Sequence, residues 1–387
     1  MKYLYNKKQS LLFLLMLVVT THVFYAQEPH KEYYDDGTVA RTGYYKDDKR
    51  VGEWKFYHEN GKLALAGKFE NGNTVGVWKS YTESGKLSGE GYFENGIEIG
   101  EWKYYYETGQ LEKVVLYNAN KQLDGVYKKY HENGKLSTVG TFENNVQVGE
   151  WKVYHENGQL AEVGVFEAGE HEGLWKFYHE NGQLSEIGYT ENGKKIGEWK
   201  YYYDNGKLSE IGTFEAEGSQ GVWKSYHENG QLSKIGYIEN GKKIGEWKFY
   251  YDNGQLSEKG TFDAEGSQGV WKSYHENGQL SAVGIRENYK KDGEWKHYHD
   301  NGQLQEFGNF TNGKATGEWK IYHRNNALYQ IRLWDDGKFM DIISCYDNKG
   351  NKLDKGTLVH GNGTVNYYDE NGKLTETKTF VDGLEQK

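Results

Sequence analysis

The chain has 387 residues, with 36% apolar residues, 51 glycines, one proline, 34 tyrosines and 12 tryptophans. That excludes a disordered chain, which rarely carries so many aromatics, and collagen, which needs glycine at every third position. Many glycines with many aromatics fit short strands joined by tight turns around a thin aromatic core. The formal charge is −10. An acidic surface repels phosphate, so nucleic acid is not expected as a partner.

In chain order, Lys2, Lys7 and Lys8 precede the apolar run Leu11 to Val19, and Ala26-Gln27 offers a cleavage point. This is the layout of a secretory signal peptide over residues 1–26. The run is far short of the ~20 apolar residues that span a bilayer, so no transmembrane span is expected after cleavage. Removing 1–26 takes away those three lysines and no acid, which moves the charge from −10 to −13. The expected destination is the periplasm, the cell surface or the medium. Cys345 is the single cysteine, so no intrachain disulfide holds the exported chain.

Residues 27–51 read as a degenerate half repeat, with Tyr33 to Tyr45 as its recognisable part. Twelve repeats follow over residues 52–324, marked by Trp54, Trp78, Trp102, Tyr127, Trp151, Trp175, Trp199, Trp223, Trp247, Trp271, Trp295 and Trp319. The step is 24 residues, with one insertion before Tyr127. Residues 183–230 and 231–278 match at 42 of 48 positions, which indicates duplication of a two-repeat block. Residues 325–387 read as worn repeats that cap the array, with Gly363 to Gly383 the clearest copy.

Each repeat holds two turn signals, such as Asn192-Gly193 and Asn205-Gly206, separated by strand-length aromatic segments. Asn-Gly suits a type I′ hairpin turn. Centred on Asn205-Gly206, the hairpin pairs Trp199 with Gly212 and Gly197 with Phe214, so each large ring is expected to lie across from its partner glycine. Alternation puts Trp199, Gly212, Phe214 and Leu208 on one apolar face and Tyr202 on a wetter one. Thr190, Ile238 and Arg286 stand where most repeats have Phe. The fold expected is all-β: tandem antiparallel hairpins in an elongated twisted sheet or solenoid, advancing about 10 Å per repeat. A flat sheet of this kind exposes its aromatic face, which must coil on itself, dimerise or bind something.

The motif GEWKFYHENGKLALAGKFENGNTVG from Gly52 to Gly76, repeated through Trp319, resembles the MORN repeat in its bacterial variant form. The resemblance implies a β-hairpin array that acts through contact with proteins or lipids and is not an enzyme. Bacterial relatives of this type often carry the label of an antitoxin component, so toxin neutralisation is one function that the resemblance implies. Hairpins such as GEWKYYYDNGKLSEIG are also similar to cell-wall-binding repeats, which implies a polysaccharide ligand as a further alternative.

No catalytic, cofactor or metal site is expected. His58, His131, His155, His179, His227, His275, His299 and His323 recur at one position, but copies about 10 Å apart cannot share an ion that needs ~2 Å bonds. They alternate with Tyr203 and Tyr251 and read as turn-flanking residues. Glu198 and Glu246 are identical copies in identical settings, unlike the paired carboxylates of acid–base catalysis. Cys345 lacks a histidine partner motif. The tryptophans read as structural, and Tyr202, Tyr226 and Tyr250 as the possible binding face. The expected partner is a protein or another envelope component, engaged by many equal weak sites. Fractionation is expected to find a chain beginning at Gln27 outside the cytoplasm; a full-length cytosolic product would contradict the export reading.

Overall fold

The computed structural model describes residues 29–386, so the leader assigned to residues 1–26 lies outside the described residues. The described residues form strands and turns, with no helix. The chain divides into two compact units, one ending at Trp102 and one starting at Lys103. In the first, His30–Tyr33, Val39–Lys46, Lys49–Tyr57, Leu63–Glu70, Asn73–Tyr81 and Leu87–Glu94 pair antiparallel in sequence order. In the second, the same ladder runs from Leu111–Tyr117 to Lys338–Cys345. Within each ladder consecutive strands pair with one another, and neither ladder closes into a barrel. The fold is therefore all-β, built of tandem hairpins.

Of the two turn signals, one is formed as the sequence predicts. Asn192 and Gly193 both have positive φ, 48° and 73°, between the paired residues Glu191 and Lys194, as a type I′ turn requires. The other differs. At Asp204-Asn205-Gly206 only Gly206 is left-handed, and Gly206 N–H donates to the Tyr203 carbonyl. The Asn205 side-chain oxygen accepts from Lys207 N–H at 2.9 Å, so the asparagine holds the turn by its side chain and keeps an ordinary backbone. A bulge at Ser209 then pairs Leu208 with Tyr202. Paired residues share a face, so Leu208 leaves the tryptophan side on which alternation had placed it.

The register across each hairpin is the one read from the sequence: Trp199 pairs with Gly212, Gly197 with Phe214, Trp247 with Gly260. The ring contact is not. The indole of Trp199 lies over Gly188, one strand back, and Gly212 is covered by Trp223. The reason is a bulge: Ile187 pairs with Lys200 and Tyr189 with Ile196, so residues 197–199 stand against Gly188 alone. Gly197, at φ 62°, supplies the left-handed residue such a bulge needs. A Cβ on Gly188 would sit 2.2 Å from the ring, so only bare backbone fits beneath it. Eleven tryptophans, from Trp54 over Gly43 to Trp319 over Gly308, repeat this contact. In four of them the indole N–H also reaches the carbonyl next to the covered glycine, as in Trp199 to Tyr189 at 3.0 Å.

This contact buries the tryptophans inside the chain itself. All eleven are 0–8% exposed although the sheet is one layer thick. Phenylalanines close the edges of the rings, as Phe262 does for Trp271 at 5.3 Å and 84°. The aromatic face is thus covered without a partner. Where Val115 replaces the glycine, Tyr127 replaces the tryptophan, so the larger ring is absent where a side chain occupies its seat. At the C-terminal end, Gly363–Tyr368, Leu374–Val381 and Leu384–Glu385 form a small sheet. Its Val365 and Phe380 pack with Leu358 against Phe339, Ile342 and Cys345, which caps the ladder.

Truncating one of these rings, Trp247→Ala, is expected to cost about 3–5 kcal/mol. Gly236→Val alone is expected to cost about 1–3 kcal/mol by overpacking against Trp247. Gly236→Val with Trp247→Tyr reproduces the Val115–Tyr127 combination, so urea unfolding of the double variant should show less loss than the losses of Gly236→Val and Trp247→Tyr measured singly and summed. Strict additivity would contradict the contact.

Candidate functional site

Three repeated arrays of side chains run along the ladders. The first stitches hairpin tips together. His179 Nε2 bonds the Tyr202 carbonyl at 2.9 Å, Tyr203 Oη donates to the Tyr226 carbonyl at 2.7 Å, and His227 Nε2 bonds the Tyr250 carbonyl at 2.9 Å. Histidine and tyrosine exchange at this position because both place a donor at the same distance from the next tip. Asparagine works beside them: Asn181 Oδ1 accepts from Gln183 N–H and its amide donates to the Asp204 carbonyl. Tyr202, Tyr226 and Tyr250 are half-buried beside these tips, and it is their backbone carbonyls that carry the contact.

The second array lies on the tryptophan face. Lys195, Lys243 and Lys291, each four residues before a tryptophan, hold their ammonium groups 4.0, 4.6 and 4.4 Å from the rings of Trp199, Trp247 and Trp295. Arg50 does the same for Trp54, and His171 stacks on Trp175 at 3.8 Å. Arg286, in a phenylalanine position, lies 4.2 Å from the Trp271 ring and pairs with Glu258 at 2.9 Å. Burial lowers the pKa of Lys243 and Lys291, helped by Lys234 and Arg286 respectively. Burial also acts against the charge on Lys195, but hydrogen bonds to Glu186 and Tyr201 outweigh it and raise its pKa. These cations were not singled out in the sequence; their signal was the 48-residue recurrence of lysine four places before tryptophan.

The third array is on the opposite face, and it alternates. Leu174 pairs with Tyr189, Val222 with Tyr237, and Val270 with Ile285, and all six side chains are exposed, Tyr189 at 55% and Val222 at 53%. The repeats between them carry Glu198 against Thr213, Glu246 against Thr261 and Glu294 against Asn309. Each of those glutamates pairs with the lysine two residues on, at 2.9–3.1 Å. In the apolar repeats the glutamate is missing, and Lys176, Lys224 and Lys272 have no ion-pair partner among the described residues. A groove of about 370 Å³ runs from Val222 and Tyr237 to Glu246 and Lys248.

Cys345 is 1% exposed, its thiol pKa is raised by burial, and Gln330 Nε2 approaches its sulfur at 3.5 Å. This is the setting of an inert structural thiol. Among the described residues no three His, Cys, Asp or Glu side chains gather to hold a metal ion, and no helix is long and apolar enough to cross a membrane.

An open ladder of near-identical hairpins, ringed by repeated contacts, defines a β-hairpin repeat protein with clustered aromatics. The chain belongs to the MORN repeat variant family, whose model matches residues 29–47, 50–71, 74–95, 98–119, 123–144, 147–168, 172–192, 195–216, 219–242, 243–264, 267–288, 291–312 and 362–382. No curated protein matches it. Among solved structures it is similar to a chain of the TcdB2-TccC3-Cdc42 crystal structure, at 12% identity and a TM-score of 0.16, over 91% of this chain and 21% of that one. It is also similar to a chain of the Photorhabdus luminescens Tc holotoxin pore, at 13% identity and a TM-score of 0.14, over 91% and 21%. The chain spans about a fifth of the length of the chains it matches.

Proposed function

We propose that this protein is an exported scaffold that works by contact rather than catalysis, engaging a repetitive protein or envelope component along its outer face. One observation carries the reading: the exposed pairs Leu174–Tyr189, Val222–Tyr237 and Val270–Ile285 recur every second repeat, each beside a lysine without an ion pair. Since the tryptophans are already buried within the chain, these pairs supply exposed apolar surface for a partner at a regular spacing. Two repeats advance about 20 Å, and weak sites at fixed spacing gain avidity only against a ligand with its own repeat. Tyr237 also offers a flat ring face beside a groove, and Tyr189 a second exposed ring two repeats away, which supports a polysaccharide as the second reading.

The test is affinity capture from the native cell envelope, with residues 27–387 as bait and Tyr189→Ser/Val222→Ser/Tyr237→Ser as the control. These residues are exposed, so the variant is expected to unfold within about 0.5 kcal/mol of the parent per site. A partner retained by the parent and lost from the variant supports the scaffold reading; retention on purified cell-wall polysaccharide assigns that partner as glycan. Equal capture by both baits would overturn the outer-face assignment.

A further inference from the structure

The tryptophan face of the second unit departs from the pattern of its neighbouring blocks near the C-terminal end. There a cavity of about 340 Å³ is lined by Lys291, His297, Glu306, Trp319, Arg332 and Trp334, with Phe310, Ala315 and Ile321 completing the wall. The size lies within the range of small-molecule sites.

Comparison with the two preceding two-repeat blocks shows how the opening is made. The places of Ala315 and Ile321 are held by serines there, Ser267 and Ser273, then Ser219 and Ser225. Arg332 replaces Gly284 and Gly236, and Trp334 replaces Arg286 and Ile238. His297 replaces Phe249 and Tyr201. In the middle block Arg286 covers the Trp271 ring and takes Glu258, which closes the equivalent place. Trp334 brings no such cation, so the space in front of Trp319 stays open. In a chain whose blocks are near-copies, five departures converge on one cavity.

The charges there are arranged. Lys291 Nζ donates to His297 Nε2 at 3.2 Å, and His297 Nδ1 faces Glu306 Oε1 at 3.1 Å. Burial pushes the Glu306 carboxyl up, but the His297 contact and the charges of Arg332 and Lys291 hold it below its ordinary range. Glu306 is therefore charged and occupied. Arg332 is different: its Nε donates to Gln330 Oε1 at 2.8 Å, which fixes the guanidinium, while its Nη groups have no hydrogen-bond partner among the described residues. Two cations against one engaged carboxylate disfavour a cationic ligand. A fixed guanidinium with free donors is a bidentate seat for a carboxylate. The indoles of Trp319 and Trp334 provide flat apolar walls.

We propose that this cavity binds a small carboxylate carried on a planar apolar ring, with the carboxylate on Arg332 and the ring against Trp319 and Trp334. The site is separate from the outer-face surface and goes beyond the scaffold reading.

The test is a titration of residues 27–387 with phenylacetate, followed by tryptophan fluorescence and calorimetry. Phenylacetamide and acetate serve as probes lacking the charge and the ring. One phenylacetate per chain is expected, with both comparators at least tenfold weaker. Arg332→Gly restores the residue of the other repeats and should weaken phenylacetate at least tenfold. Trp334→Arg, which rebuilds the closure seen at Arg286, should do the same. The outer-face triple variant should bind phenylacetate as the parent does, which keeps the two readings distinguishable. Absence of binding at millimolar phenylacetate, equal binding of phenylacetamide, or unchanged affinity in a folded Arg332→Gly chain would overturn the proposal. If Arg332→Gly fails to fold, the comparison of phenylacetate with phenylacetamide on the parent still decides.

Discussion

The structure depends on one contact: an indole ring laid flat on bare glycine backbone one strand back. A single-layer sheet has no second layer to cover its apolar face, and a large aromatic left in water there forfeits most of its ~150–250 Å² of burial. Seating the ring on a residue without a side chain solves this locally, because the backbone under it becomes the missing layer. The bulge at the left-handed glycine two residues before the tryptophan sets the ring one strand back and not beside its own partner. Each repeat thereby covers its predecessor, and stability becomes a sum of neighbour contacts along the ladder.

This arrangement separates the labour of the two faces. The tryptophan face is consumed by cohesion, with lysines and arginines roofing the rings and histidine, tyrosine and asparagine tying the tips. The other face has no such duty, and its residues alternate between Glu–Lys pairs and exposed apolar pairs with the period of the duplicated block. Departures from the cohesive pattern are consequently informative. Tyr127 in a tryptophan place, with Val115 in the matching glycine place, follows the same packing logic with a smaller ring. The changes around Trp319 and Trp334 open a space that the neighbouring blocks close.

Much of the fold was legible because the repeat is so regular: the 24-residue step, the hairpins, and the pairing of Trp199 with Gly212 all follow from turn positions and parity. Parity failed where bulges intervene. It assigned Leu208 to the tryptophan face and laid each ring over its register partner, since no simple period reveals a bulge. Asn205-Gly206 looked like a type I′ turn, but the asparagine side chain holds a different one. The roofing cations were visible only as a 48-residue recurrence, one level above the repeat. The cavity was less legible still, because it arises from substitutions distant in sequence that meet only when the last strands pair.

The most direct measurement is an NMR spectrum of the chain labelled only at glycine. Protons above an indole face are shielded by its ring current, so Gly43, Gly188, Gly212 and the other covered glycines, eleven in all, should give a set of strongly upfield α-proton signals. Trp199→Phe should relax the signal of Gly188 and leave that of Gly212 in place. Glycine signals at ordinary positions throughout, or a Trp199→Phe change that moves Gly212 and spares Gly188, would contradict the account.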